Sequence, residues 1–168
     1  MSGRGTPALE VLRAAGVAYA VHEYEAPAPA SPRDRDRRPQ YGLDAAVALG
    51  LDPARVFKTL IAEVDGVLVA AIVPVAGELD LKTLATTRGA RRAALAASAV
   101  AERATGYVVG GISPLGTRRR LPTVLDTSAG PLATICVSGG RRGLQLELAP
   151  DALARLTGAT MAPIARRV

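Results

Sequence analysis

Val56-Phe57-Lys58-Thr59-Leu60-Ile61-Ala62-Glu63-Val64-Asp65-Gly66-Val67-Leu68-Val69-Ala70-Ala71-Ile72-Val73 carries the strongest local pattern in this chain. Two runs of aliphatic and β-branched residues flank Asp65-Gly66, a dipeptide suited to the paired positive φ angles of a type I′ turn. The pattern predicts an antiparallel hairpin with strands 56–64 and 67–73. Side chains alternate across a strand, so Lys58 shares the more apolar face with Val56, Leu60, Ala62 and Val64. Phe57, Thr59, Ile61 and Glu63 take the other face. A lysine so placed reaches solvent at the strand end, pairs with a carboxylate, or lines a cavity as a pocket cation.

Outward from the hairpin, helices and strands mix without a regular βαβ alternation, which indicates an α+β fold. Thr6-Pro7 caps and opens a helix that Gly16 stops. Residues 17–24 read as a strand carrying His22 and Tyr24, and Asp44–Leu49 as a second helix. Further helices are expected at Leu79–Thr86, Ser98–Ala104 and Pro150–Leu156. Short strands are expected at Tyr107–Val109, Thr123–Leu125, Thr134–Val137 and Gly143–Leu148. The stretch 26–40, rich in Pro and Arg, has no apolar periodicity and reads as a mobile loop inside one domain spanning 1–168.

The 168 residues are 49% hydrophobic, enough for a packed core. No apolar run approaches the ~20 residues of a membrane span, and the first residues lack the apolar centre of a secretory signal. The expectation is a soluble cytoplasmic protein. With one His and one Cys, a metal site built wholly from those residue types is not expected. The net charge of +6 favours an anionic partner such as nucleic acid, through phosphates, because 3% aromatic residues cannot build a base-stacking platform. Of 21 basic residues only Lys58 and Lys82 are lysines, so a compact ammonium at 58 stands out against an arginine background.

Two glycine loops carry the remaining chemistry. Gly110-Gly111-Ile112-Ser113-Pro114 allows close backbone approach, and its exposed N–H groups suit an anion or a developing oxyanion. Read by itself, it is equally a tight turn. Arg118-Arg119-Arg120 follow, either as a solvated face or as phosphate contacts. Ser138-Gly139-Gly140-Arg141-Arg142-Gly143 forms the second loop. Ser138 lacks a nucleophile-elbow motif, and the sole candidate base is His22, so a Ser-His triad is not expected. Cys136 reads as a buried strand residue.

In this order the segments Thr6-Pro7-Ala8, His22-Glu23-Tyr24, Val56–Leu60, Pro74–Lys82, Thr105–Leu115, Arg120–Thr123 and Val137–Leu144 resemble the YbaK family. That family belongs to a superfamily including the editing insertion of bacterial prolyl-tRNA synthetases. The resemblance runs from about Thr6 to Arg167; the superfamily's Gly-x-x-x-Pro signature falls on Gly110–Pro114 and its key lysine on Lys58. It implies a strongly curved, barrel-like mixed sheet with helices packed outside, and hydrolysis of Cys-tRNA(Pro) beside prolyl-tRNA synthetase. No metal or organic cofactor is implied. Lys58 would be the essential cation with Thr59 beside it, and Tyr24, Ser138 and Gly139 would line a pocket for the tRNA 3′ end. Gly110, Gly111, Ile112, Ser113 and Pro114 would bind the aminoacyl group. Arg118, Arg119, Arg120, Arg141 and Arg142 are the candidates for tRNA backbone contact. Two departures stand out: the 26–40 stretch is longer and more basic, and Gln145 stands where family members can carry Asp. Three other readings remain open: a deacylase for Ala-tRNA(Pro) or another mischarged tRNA, an inert tRNA- or synthetase-binding module, and a phosphate-binding regulator.

Overall fold

The computed structural model describes residues 5–26 and 41–167, so most of the 26–40 stretch lies outside the described residues. Helix α1 (Pro7–Ala15) begins where the Thr6 hydroxyl oxygen accepts from the Leu9 N–H at 3.2 Å and ends at Gly16 in the left-handed region. Strands β2 (Phe57–Val64) and β3 (Val67–Pro74) form the expected hairpin in the register Val64↔Val67, with φ of 48° at Asp65 and 83° at Gly66. The Asp65 carboxylate also accepts from the N–H groups of Arg91 and Arg92, which holds its pKa below the usual range and ties the turn to the next segment.

The hairpin is the centre of a five-stranded mixed sheet, ordered β5-β2-β3-β6-β9. In it β5 (Ala93–Leu95) is antiparallel to β2, while β6 (Thr123–Asp126) and β9 (Thr160–Ala162) run parallel to their neighbours. A second, antiparallel sheet joins β1 (Tyr19–Glu23), β8 (Leu144–Leu148) and β7 (Ile135–Ser138) in that order. A two-stranded ribbon pairs β4 (Gly77–Leu79) with β10 (Ala165–Arg167). Helices α2 (Tyr41–Leu49), α3 (Leu81–Thr87), α4 (Ser98–Thr105) and α5 (Pro150–Thr157) complete the α+β fold.

The barrel-like sheet implied by the family resemblance is corrected: the strands divide among three open sheets, none closed on itself. The break falls at the start of β2. There Val56 makes a single parallel bridge to Cys136, whose N–H donates to the Arg55 carbonyl at 2.9 Å, and the ladder goes no further. A second correction concerns Tyr107–Val109, which is not a strand. The Val109 N–H is taken by the Glu102 carboxylate and the Tyr107 hydroxyl donates to the Leu115 carbonyl, so the segment folds on itself. Leu79 belongs to β4, and α3 starts only after Asp80, whose carboxylate accepts from the Thr83 N–H.

The largest core cluster lies between the two main sheets. Phe57, Ile72 and Leu125 meet Ile135, Val137, Leu144, Leu146 and Leu148, with Leu12 of α1 and Leu153 of α5 packed in. Each such fully buried aliphatic side chain contributes about 1.5–3 kcal/mol through burial. The opposite face of the five-stranded sheet packs Ala62, Val64, Ala71, Val73 and Val124 against Leu84 of α3. The two sheets and their helices therefore hold the start of β2, and Lys58 with it, rigidly in place.

Candidate active site

Lys58 stands in β2 opposite Val73, partly buried, on the face expected from the alternation. The first turn of α2 lies directly over this place because Gly42 lacks a side chain. A Cβ there would come within 2.2 Å of the Val75 Cγ1 and 3.9 Å of the Lys58 Cβ. The neighbouring Tyr41 ring lies against Gly110, where φ is 96° and an added Cβ would sit 3.1 Å from ring atoms. The Arg142 guanidinium stacks on the same ring, 4.6 Å from its centroid.

The two glycine loops touch backbone to backbone. A Cβ on Gly111 would meet the Arg141 Cα at 2.7 Å, so only glycine permits this approach. Tyr24 joins the group through its N–H, which donates to the Gly143 carbonyl at 2.9 Å. Tyr24, Tyr41-Gly42, Gly110-Gly111 and Arg141–Gly143 are thus contiguous, with Lys58 reached through Gly42. Segments far apart in sequence thus meet around Tyr41, whose neighbour Gly42 packs beside Lys58.

Within Gly110–Pro114 the residues differ in role. Ser113 is fully buried, and its hydroxyl oxygen accepts from the Leu115 N–H, so it fixes the loop. Ile112 packs on Ile61, Ala70, Ala101 and Leu121, and Pro114 is buried. The Gly111 N–H donates to the Val108 carbonyl, whereas those of Gly110 and Ile112 meet no acceptor among the described residues. In the second loop the Gly139 N–H donates to the Leu144 carbonyl and the Gly140 N–H to the Ser138 hydroxyl oxygen. The Gly139 carbonyl accepts from the Thr6 hydroxyl, which ties the loop to the cap of α1.

Thr59 is not brought onto the face of Lys58. It is buried on the opposite face of β2, and its hydroxyl meets no partner among the described residues. The Gln145 side-chain carbonyl is likewise buried and has no partner among the described residues. A group of this kind costs about 1–3 kcal/mol unless a water or a ligand at the site supplies its partner. By register Gln145 lies between His22 and Ser138, on the face of the three-stranded sheet opposite the main core.

No Ser-His pair forms among the described residues. His22 Nε2 instead bonds Glu147 Oε1 at 2.8 Å, and Glu147 Oε2 accepts from the Thr134 hydroxyl and from Arg55 at 3.2 Å. Thr134, His22 and Arg55 together hold the Glu147 carboxyl below its usual pKa. Burial, with Glu147 nearby, pushes the Cys136 thiol up to about 11, which makes it a poor nucleophile near neutral pH.

The two arginine clusters fall in different places. Arg118 lies against Gly106 at the C-terminal end of α4, with its N–H bonded to the Thr105 carbonyl at 2.9 Å. The Arg119 N–H bonds the Ala104 carbonyl, and the Arg120 guanidinium approaches Gly158 at the end of α5. These cations complement two helix C-termini. Arg141 and Arg142 instead flank the glycine loops. Sequence reasoning misses Tyr41-Gly42, because the helix is expected to begin only at Asp44, and misses the Glu147 network. The signal for the latter is an acidic residue inside the otherwise buried strand Leu144–Leu148.

A model of the aminoacyl-tRNA editing domain matches residues 43–156. A protein of Enterococcus faecalis, named provisionally as a Cys-tRNA(Pro)/Cys-tRNA(Cys) deacylase, EbsC, is 40% identical over 120 residues, 71% of this chain and 73% of its own. Among solved structures, a hypothetical protein, APE2540, superposes with a TM-score of 0.82 at 24% identity, covering 96% of this chain and 100% of that one. A crystal structure assigned provisionally as a trans-editing enzyme for prolyl-tRNA synthetase gives a TM-score of 0.77 at 23% identity, over 95% of each chain. At these identities the structural likenesses establish the fold alone.

Proposed function

The chain belongs to the aminoacyl-tRNA editing domain family, and from that premise we propose that it is a trans-editing deacylase releasing cysteine mischarged on tRNA(Pro). The observation that carries this reading is the meeting of both glycine loops on the Tyr41 ring, next to the Gly42 that packs over Lys58, in a chain 40% identical over 120 residues to a relative named for that activity. The orphaned oxygen of Gln145 adds support, since a bound ligand is what could repay its burial. No described helix is long and apolar enough to cross a membrane. The reading places the activity in the cytoplasm, where charged tRNA is made and used, with prolyl-tRNA synthetase as the partner that supplies tRNA selection.

An aminoacyl ester is already activated, so the protein has little bond-making to do. The substrate thiol attacks its own carbonyl carbon, the bond to the ribose oxygen breaks, and the thiol proton ends on that oxygen. Water then opens the resulting thiolactone to free cysteine. Intramolecular attack gains a large effective concentration once the side chain is oriented. Lys58 offsets the negative charge that develops, and the N–H groups of Gly110 and Ile112, which meet no acceptor among the described residues, are the backbone donors this reading assigns to share that task. Ser138, whose oxygen accepts from the Gly140 N–H, and Gly139 shape the second loop, and Tyr24 borders it.

The test is a deacylation panel with the purified chain and tRNA(Pro) charged with Cys, Ala, Ser or Pro, plus Cys-tRNA(Cys). The reading predicts fastest release of cysteine. Fastest release of alanine moves the chain to the sister activity, and binding without hydrolysis makes it a non-catalytic module.

A further inference from the structure

The face of the three-stranded sheet turned away from α1 and α5 gathers three donors from three adjacent strands. Cys136 of β7 stands directly opposite Glu147 of β8, and His22 of β1 lies diagonally across from the same carboxylate. Their sulfur, oxygen and nitrogen atoms all lie within 4.8 Å of one another. One carboxylate oxygen is anchored by Thr134 and Arg55, which leaves the other aimed at the imidazole in the space that the sulfur shares. The sulfur is buried, while the His22 side chain is 31% exposed and offers a way in.

We propose that His22, Cys136 and Glu147 form a three-donor site for a borderline-soft divalent cation, best matched by Zn2+, with water as the fourth ligand. A set of one nitrogen, one sulfur and one oxygen suits zinc, whereas calcium and magnesium want oxygens alone. Tetrahedral bonds of about 2.0–2.3 Å set donors roughly 3.3–3.8 Å apart, so the sulfur draws in by up to about an ångström while His22 Nε2 and Glu147 Oε1, 2.8 Å apart without the ion, open by roughly half an ångström. Cys136 and Glu147 are fixed by the ladder, and His22, on the outer strand, supplies the adjustment.

On loading, the ion takes the place of the proton that ring and carboxylate share, and that proton moves to Nδ1 as the imidazole changes tautomer. The Cys136 thiol releases its proton to solvent as the sulfur–metal bond forms. Arg55 competes for the carboxylate, so the affinity is moderate and the metal-free chain keeps its Arg55–Glu147 ion pair. The Cys136 N–H bonds the Arg55 carbonyl and Cys136 bridges Val56, so a bound ion braces the junction two residues before Lys58.

Cobalt reports on the site without reference to activity. Because Cys136 is the only cysteine, a sulfur-to-cobalt charge-transfer band on adding Co2+ to the reduced chain has one source. The expected result is a saturable band that Zn2+ bleaches stoichiometrically and that Cys136→Ala lacks. His22→Ala should weaken Zn2+ binding by roughly tenfold or more. No band in the correctly folded parent chain, or Zn2+ affinity unchanged in Cys136→Ala or His22→Ala, overturns the site. Failure of deacylation, by contrast, leaves this reading untouched.

Discussion

Glu147 and Gln145 stand two residues apart on one face of β8, in opposite circumstances. Glu147 bonds three partners, Thr134, Arg55 and His22, and its network ties the three-stranded sheet to the start of β2. Gln145, toward Ser138 and the glycine loops, is more deeply buried, and its carbonyl has no partner among the described residues. One end of the face spends its polar groups on holding the fold, and the other withholds one. The contrast separates structure from function more sharply than burial or charge does, since both residues are polar and both are shielded.

Lys58→Ala gives the largest expected effect: a loss of about 10²–10³ in single-turnover deacylation, comparable to removing an oxyanion donor, with the circular dichroism spectrum unchanged. Lys58→Arg should also be poor, because a planar guanidinium does not replace a compact ammonium. Near-parental activity in a folded Lys58→Ala protein removes the lysine from the chemistry.

Glu147→Ala should do the reverse, costing about 1–3 kcal/mol in denaturant unfolding while activity per folded molecule stays near the parent's. Its acid behaviour follows in sign. The folded-state pKa lies below the ordinary value, so the stabilisation is present above the unfolded pKa and is lost as pH falls through the folded one. Unfolding scans below the usual carboxylate range should show Glu147→Gln losing less stability on acidification than the parent. An equal acid slope in both contradicts the role given to this network.

Gln145→Leu sharpens the comparison from the other end. Removing a buried orphan carbonyl should leave stability within about 1 kcal/mol or raise it, while deacylation falls by roughly tenfold. A stability loss matching that of Glu147→Ala would falsify the contrast.

The smallest effects separate the arginine clusters. Arg142→Ala should weaken tRNA binding several-fold and reduce the salt slope by about one phosphate contact. Arg118→Ala should chiefly cost a few tenths of a kcal/mol at the end of α4. Filter binding across a salt series, paired with unfolding, distinguishes them; equal binding losses merge the two clusters into one surface.

How much of this is legible in the amino-acid sequence depends on the range of the interactions. The hairpin is legible because alternation and Asp65-Gly66 are local, and Lys58 stands out for the same reason. Helix α1 declares itself through Thr6, Pro7 and Gly16. The strands β4, β9 and β10 have three residues each, too few to show alternation, and exist because distant partners come to them. Tyr107–Val109 reads as a strand by composition, yet Glu102 and Leu115 capture its polar groups before a ladder can. The division of the sheet is not legible either, since it turns on a single bridge from Val56 to Cys136. The site behaves likewise: the glycine loops are visible, but that Gly42 and Gly111 are the points of closest approach appears only when the chain is folded.

The central claim is that the substrate's own thiol is the nucleophile and that the protein orients it and stabilises charge. The most direct measurement is the single-turnover rate on Cys-tRNA(Pro) against Ser-tRNA(Pro), nearly isosteric esters that differ in sulfur against oxygen. The account predicts far slower release of serine, with Cys136→Ala active and no acyl-enzyme on Ser138. Equal rates for the two esters, or a trapped ester on Ser138 or thioester on Cys136, would contradict it.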